Sequence, residues 1–115
     1  HFTMPLIRVQ TSLSTIENAN ELLQELSREM SRLTGKPESY VMTSLMANVP
    51  MSFGGSTDPC CYIEIKSIGS LRPSEMTKSI CNSIQVLTGV PSSRIYIAFE
   101  DVNPNNWGFD NRTFG

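Results

Sequence analysis

The chain has 115 residues, 39% of them apolar and 17% charged, with nine basic against eleven acidic side chains and a formal net charge of −2. That length fits one domain, and the charge balance carries neither a nucleic-acid nor an anionic-membrane footprint. No apolar run approaches the roughly 18 residues of a membrane span, and no charged-then-apolar leader opens the chain, so a soluble cytoplasmic protein is expected.

The opening His1-Phe2-Thr3 ahead of Met4 reads as the remnant of an expression tag, which leaves residues 4–115 as the single domain. Leu6-Ile7-Arg8-Val9 is a short strand candidate. Ser14-Thr15-Ile16-Glu17 then has the form of a capping box, and Ile16, Ala19, Leu22, Leu23, Leu26, Met30 and Leu33 recur at helical spacing. Gly35 and Pro37 stop that helix, and residues 40–46 form a second strand candidate. The run Cys61-Tyr62-Ile63-Glu64-Ile65 is a third strand candidate, and Pro73 suits the first turn of a second helix. Met76, Ile80, Ile84 and Leu87 make that helix's apolar stripe, Gly89 and Pro91 end it, and residues 94–100 form the last long strand. The tail beyond Asp101, rich in Asn, Gly and aromatics, reads as a pocket or interface segment and not as a third helix.

The chain also repeats itself. Thr34-Gly35-Lys36-Pro37 returns as Thr88-Gly89-Val90-Pro91, 54 positions later, and the same offset carries Pro5 onto Pro59. Two copies are too few for a solenoid, so the repeat predicts one domain with internal pseudo-twofold symmetry. The predicted class is therefore α+β, a two-layer β-α-β-β-α-β domain with both helices on one face of a mixed sheet. The uncovered face is expected to carry Ile, Met, Tyr and Phe at alternate positions. One subunit cannot cover it, so association into a closed ring is expected.

The composition limits the chemistry. The only histidine is His1, in the proposed tag, so Ser-His-Asp and Cys-His catalysis and zinc sites built on imidazole are excluded for the domain. Three cysteines, with Cys60 and Cys61 adjacent, argue against a disulfide framework and for a reducing compartment. Taken by pattern alone, Pro5 is a strand-edge proline, Lys36 a solvated lysine at a helix C-terminus and Tyr96 a packing residue.

Several short motifs in order and spacing carry a family resemblance: Met4-Pro5, Thr34-Gly35-Lys36-Pro37, Phe53-Gly54-Gly55, Ser67-Ile68-Gly69, and the ending Trp107-Gly108-Phe109-Asp110-Asn111-Arg112-Thr113-Phe114. Over essentially all of residues 5–114, with one shortened stretch near residues 70–74, the chain resembles the macrophage migration inhibitory factor family of the tautomerase superfamily. The resemblance implies a homotrimer enclosing a barrel of sheets, an amino-terminal proline as catalytic base and no cofactor or metal. Its implied activity is keto-enol tautomerisation of small aromatic 2-oxo acids such as phenylpyruvate, and of dopachrome-like compounds. Pro5, exposed by removal of Met4, is then the base. Lys36 and the Ile68 backbone N–H hold the substrate carboxylate. Tyr96 reaches the pocket from a neighbouring subunit, Ala98 stands at the position that contacts the ligand's far end, and Trp107 and Phe109 line the rim. Phe114 packs near the opening, or serves the core or an interface. A chain-terminal amine has a pKa of about 7.7–8.0 against about 10.4 for lysine. Burial beside a cation would lower it further, giving a base poised near neutrality.

The chain also departs from that family. Ala98 stands where well-studied members have asparagine, which predicts weaker binding of hydroxylated substrates. Trp107 and Phe109 replace a valine and a tryptophan, which changes the rim's shape. Cys60-Cys61-Tyr62-Ile63 lacks the second cysteine of a Cys-x-x-Cys pair, so thiol-disulfide activity is not expected. Thr15 and Asn48 are neutral where cytokine members carry receptor-facing charges. The Asn111-Arg112-Thr113 glycosylation pattern has no export signal to make it relevant. The alternative function is a signalling or binding protein of the same family with a vestigial pocket.

Overall fold

The computed structural model describes residues 4–115, and the proposed tag remnant His1-Phe2-Thr3 lies outside the described residues. Strand β1 (Leu6–Thr11) leads to helix α1 (Ala19–Thr34) and strand β2 (Met42–Met46). Strand β3 (Cys61–Ser67), helix α2 (Pro73–Thr88) and strand β4 (Ile95–Asp101) repeat that order. The four strands form one sheet in the order β2-β1-β3-β4. β1 runs parallel to β2 and antiparallel to β3, and β3 runs parallel to β4. The predicted two-layer α+β arrangement is the one observed.

The sequence repeat has a structural counterpart. Helix α1 begins at residue 19 and α2 at residue 73, and they end at residues 34 and 88, so both ends differ by 54. Each helix ends on a left-handed glycine, Gly35 at φ 73° and Gly89 at φ 81°, a conformation that a side chain would strain. The threonine before each makes the same two bonds. Thr34 Oγ1 donates to the Met30 carbonyl at 2.6 Å and accepts from the Lys36 N–H at 3.3 Å. Thr88 Oγ1 donates to the Ile84 carbonyl at 2.6 Å and accepts from the Val90 N–H at 3.2 Å. A single 3₁₀ turn follows each, Glu38–Tyr40 and Ser92–Arg94, opened by Pro37 and Pro91.

The core lies between the helices and one face of the sheet. Ile7 and Val9 of β1 and Ile63 and Ile65 of β3 meet Leu22, Leu26 and Met30 of α1 and Met76, Ile80 and Ile84 of α2, all essentially inaccessible. Each such side chain contributes about 1.5–3 kcal/mol on burial. Ile97 and Phe99 also pack against this core. The opposite sheet face therefore lacks the Ile and Phe expected there. It carries Leu6, Met42, Met46, Tyr62 and Tyr96 together with Arg8, Glu64, Lys66 and Glu100, because strand alternation sends odd positions of β3 and β4 inward and even ones outward. On that face Arg8 pairs with Glu64 at 3.4 Å, and Glu64 Oε2 accepts from the Tyr62 hydroxyl at 3.0 Å. That bond to a carboxylate raises the Tyr62 phenol above its ordinary value.

Two local expectations are corrected. Helix α1 starts at Ala19, and its N-cap residue Asn18 makes no side-chain capping bond, so Ser14 and Glu17 do not form a capping box. The Asn18 amide instead donates to the Leu87 carbonyl at 3.4 Å, tying the start of α1 to the end of α2, while Ile16 packs on the core from outside the helix. The tail forms a short 3₁₀ turn (Pro104–Asn106) and a two-residue hairpin of β5 (Gly108–Phe109) and β6 (Arg112–Thr113). Its turn residues Asp110 and Asn111 both have positive φ, 50° and 72°, as a tight hairpin turn with matching twist requires.

Between the helices lies a buried carboxylate. Glu29, 9% exposed, accepts from Arg32 at 2.9 Å, Ser79 at 2.6 Å and Ser83 at 2.5 Å. Burial pushes its pKa up, but the three donors outweigh burial and hold it below its ordinary value. Its folded pKa being depressed, its stabilisation is present at neutral pH and is lost as pH falls through the folded value. Glu29→Gln is expected to destabilise the fold by about 1.5–3 kcal/mol at pH 7. Urea denaturation of both proteins should show the gap closing below the ordinary carboxylate value of 4.5. A gap independent of pH would assign Glu29 a purely steric role.

Candidate active site

Pro5 is buried immediately before β1. Its carbonyl accepts from the Met42 N–H at 3.0 Å, so it sits at the mouth of the β1–β2 pairing. The β1–β3 register, in which Leu6 faces Lys66, extends to place Pro5 beside Ser67. A cleft of about 610 Å³ opens at this end of the sheet. One wall is the 3₁₀ turn and start of β2, with Ser39, Tyr40, Val41 and Met42; the other is the tail, with Val102, Asn106, Trp107, Gly108 and Phe109. Met4, Pro5 and Leu6 lie along it, and Lys66 and Glu100 add one charge of each sign.

The tail is positioned by backbone bonds. The Val102 N–H donates to the Ser67 carbonyl at 2.8 Å, and the Gly69 N–H to Asp101 Oδ1 at 2.9 Å, tying the end of β4 to the turn after β3. Gly69, at φ 72°, makes that turn. The hairpin then brings Phe114 onto Phe109 with parallel rings 5.8 Å apart, and the Phe114 N–H donates to the Trp107 carbonyl at 3.2 Å. Phe114 thus backs the aromatic wall of the cleft, without itself lining it.

Of the residues singled out in the sequence, Pro5, Trp107 and Phe109 come together in this cleft. Lys36 and Ile68 are half-buried nearby in sequence, Lys36 three residues before Ser39 and Ile68 two after Lys66, but neither lines it. The Lys36 backbone is held firmly, with its carbonyl accepting from the Ser31 hydroxyl. Tyr96 and Ala98 are exposed on β4. Tyr96 stands four residues before Glu100, about 13 Å along the strand, and its ring packs on Phe53 at 4.6 Å. Within one chain it therefore lies at the far end of the sheet from Pro5.

Most of the cleft's lining escaped the sequence reading, including the polar side chains of Tyr40, Lys66 and Glu100. The alternation of β3 and β4 marks Lys66 and Glu100 as outward-facing, yet only the parallel register that sets Lys66 against Glu100 puts both beside Pro5. Among the described residues, no group of three or more His, Cys, Asp or Glu side chains is arranged to hold a metal ion. No helix of the described chain is long and apolar enough to cross a membrane. Cys60, Cys61 and Cys81 are buried free thiols, and burial pushes the Cys61 and Cys81 thiols up, away from reactive thiolate.

Comparison with known proteins agrees with this architecture. The family model described as macrophage migration inhibitory factor matches residues 4–115. The macrophage migration inhibitory factor of Xenopus tropicalis is 34% identical over 114 residues, covering 96% of this chain and 99% of its own. A homologue from Brugia malayi is 32% identical over 116 residues, covering 97% and 100%. Among solved structures, a macrophage migration inhibitory factor homologue from Prochlorococcus marinus superimposes with a TM-score of 0.92 at 50% identity, over 96% of this chain and 99% of that one. A like protein from Entamoeba histolytica gives 0.90 at 30% identity, over 96% and 99%. Matched along nearly its whole length in both sequence and fold, the chain belongs to the macrophage migration inhibitory factor family.

Proposed function

We propose that the protein is a cofactor-free keto-enol tautomerase, an isomerase acting on small aromatic 2-oxo acids such as phenylpyruvate and on dopachrome-like compounds. The observation that carries this reading is the burial of Pro5 at the floor of a cleft walled by Val41, Met42, Val102, Trp107 and Phe109. A secondary amine at that position would take a proton from the carbon next to the ketone and return one to the oxygen. Apolar walls disfavour its protonated form, which keeps it basic near neutral pH. The aromatic wall suits a flat, conjugated enol. Lys36 and the Ile68 N–H are the donors assigned to the substrate carboxylate, a point charge and a dipole that orient the substrate.

The base must first be exposed. With Met4 attached, the Pro5 nitrogen is an amide whose lone pair is delocalised into the carbonyl, so it accepts no proton near neutral pH. Met4 itself lies along the cleft, where it competes for the substrate's space. Removing everything before Pro5 is expected to switch on enol formation from phenylpyruvate, followed by absorbance, and Pro5→Gly should leave a weaker primary amine. Mass spectrometry must accompany the assay, since a trace of trimmed chain would simulate activity. Equal turnover by fully untrimmed protein would remove Pro5 as the base.

Lys36→Ala is expected to lower kcat/KM for phenylpyruvate by about 1.5–3 kcal/mol, the worth of a charged hydrogen bond. An unchanged kcat/KM at low salt would take Lys36 out of the site.

A homotrimer with sites shared between subunits is the assembly proposed. The exposed apolar residues Met42 and Met46 (65% and 50%) lie on edge strand β2, and Tyr96 (66%) on the opposite edge strand β4. The centre of the face carries the Arg8–Glu64 pair. Apolar edges around a charged centre favour side-by-side association, which covers strand edges and closes into a ring. Tyr96 of a neighbour is then the group brought to the Pro5 cleft. Light scattering at micromolar concentration should give about three times the 12.8 kDa chain mass. A stable, active monomer would overturn both assembly and shared site. The buried free thiols fit a reducing compartment such as the cytoplasm.

A further inference from the structure

We infer that Arg94 is a positioning residue of the site shared between subunits: it holds Phe53 against Tyr96 and so fixes how Tyr96 meets a neighbour's cleft. The inference rests on the reading that Tyr96 is the group a neighbour brings to the Pro5 cleft. Residues 47–60, between β2 and β3, form no strand or helix of their own. Long connections of this kind are where conformational multiplicity concentrates. Here the tip is a tight two-residue turn. The Phe53 N–H donates to the Ser56 carbonyl at 2.9 Å, and the Ser56 N–H donates back to the Phe53 carbonyl at 3.1 Å. Gly54 and Gly55 between them have φ 60° and 78°, as a turn with positive φ at both central positions requires.

Arg94 fastens this turn to the start of β4. Its Nη1 donates to the Phe53 carbonyl at 3.1 Å, its Nη2 to the Ser56 and Asp58 carbonyls at 3.2 and 3.0 Å, and its Nε to the Pro59 carbonyl at 3.0 Å. The guanidinium grips both ends of the turn, and its carbon lies 5.2 Å from the centre of the Phe53 ring. That ring also meets the Tyr96 ring, with centres 4.6 Å apart and planes tilted by 47°. Tyr96 stands two residues after Arg94, so one short segment supplies both the clamp and the residue it positions. Tyr96 is exposed on an edge strand, and among the described residues its hydroxyl makes no hydrogen bond. Contact with Phe53 is what restricts its rotamers before assembly. Without it the side chain would be ordered only on association, at a cost in entropy.

The test uses protein from which the residues ahead of Pro5 have been removed. Arg94→Lys keeps the charge but offers one ammonium for four carbonyls, whereas Phe53→Leu keeps every carbonyl the clamp grips and removes the ring. Each should lower kcat/KM for phenylpyruvate about fivefold, with the mass in light scattering unchanged. In a Tyr96→Ala background the same two changes should cost less than about twofold, because the residue they position is gone. Equal losses in both backgrounds, or a fall to monomer in either variant, overturn the inference. A second measurement needs no turnover. With 3-fluorotyrosine at Tyr40, Tyr62 and Tyr96, the Tyr96 fluorine signal should move in both variants while the other two stay in place. Saturating 3-phenylpropanoate, which lacks the ketone, should shift the Tyr96 signal in the parent and shift it less in Arg94→Lys. A Tyr96 signal unmoved by either substitution, or indifferent to the ligand, overturns the assignment. If the parent turns over no phenylpyruvate, the tautomerase reading falls, and the fluorine signals by themselves decide the inference.

Discussion

The antiparallel pairing of β1 with β3 is the constraint on which the rest of the molecule hangs. In its register Val9 faces Ile63, and 63 is also 9 plus the 54-residue repeat offset. The point where the two halves pair is therefore the point about which they repeat, and a pseudo-twofold axis passes between those two side chains. From that pair each half extends outward by one parallel strand, β2 on one side and β4 on the other. Both helices then fall on one face, because a right-handed crossover from each central strand to its parallel neighbour leaves them no other. Their stripes close over Ile7, Val9, Ile63 and Ile65, and the core is complete.

Symmetry of this kind would make the two ends of the sheet equivalent, and the side chains at those ends make them differ. The repeat carries Pro5 onto Pro59 and Tyr40 onto Arg94. At the Pro5 end Tyr40 walls an open space. At the other end Arg94 is consumed as a structural clamp. Its guanidinium donates to the carbonyls of Phe53, Ser56, Asp58 and Pro59 at 3.0–3.2 Å and lies 5.2 Å over the Phe53 ring. One planar side chain with five donors gathers the β2–β3 loop against the sheet. The corresponding positions thus hold a phenol in one copy and a guanidinium in the other, with a long loop for the second to hold.

The helix layer has its own departure from a purely apolar rule. Glu29 sits in the apolar stripe's neighbourhood on α1 and is nearly inaccessible, yet it stays charged because two hydroxyls of α2 and Arg32 converge on it. Such a carboxylate specifies how the two helices meet: a shift along either one separates it from its donors and leaves a charge in a dry place. The outward sheet face is likewise mixed, with the Arg8–Glu64 pair at its centre and apolar side chains on its edges. Where the apolar surface lies matters more than how much of it there is.

Sequence alone was enough for the element order, both helix ends, the repeat and the family. These rest on local chemistry: a glycine readily takes the left-handed conformation that ends a helix, a proline fits a first turn, and a stripe at helical spacing has one face to bury. It also picked out Pro5, Trp107 and Phe109, which the cleft brings together. The start of α1 was misplaced because Asn18 and the Leu87 carbonyl, 69 positions apart, meet only in the folded chain. For the same reason Lys66 and Glu100 looked like ordinary outward strand residues. Their place beside Pro5 follows from three strand registers at once, and register is a property of pairs of strands distant in sequence. Local pattern says what each segment becomes; the pairing of segments decides which side chains share a cleft.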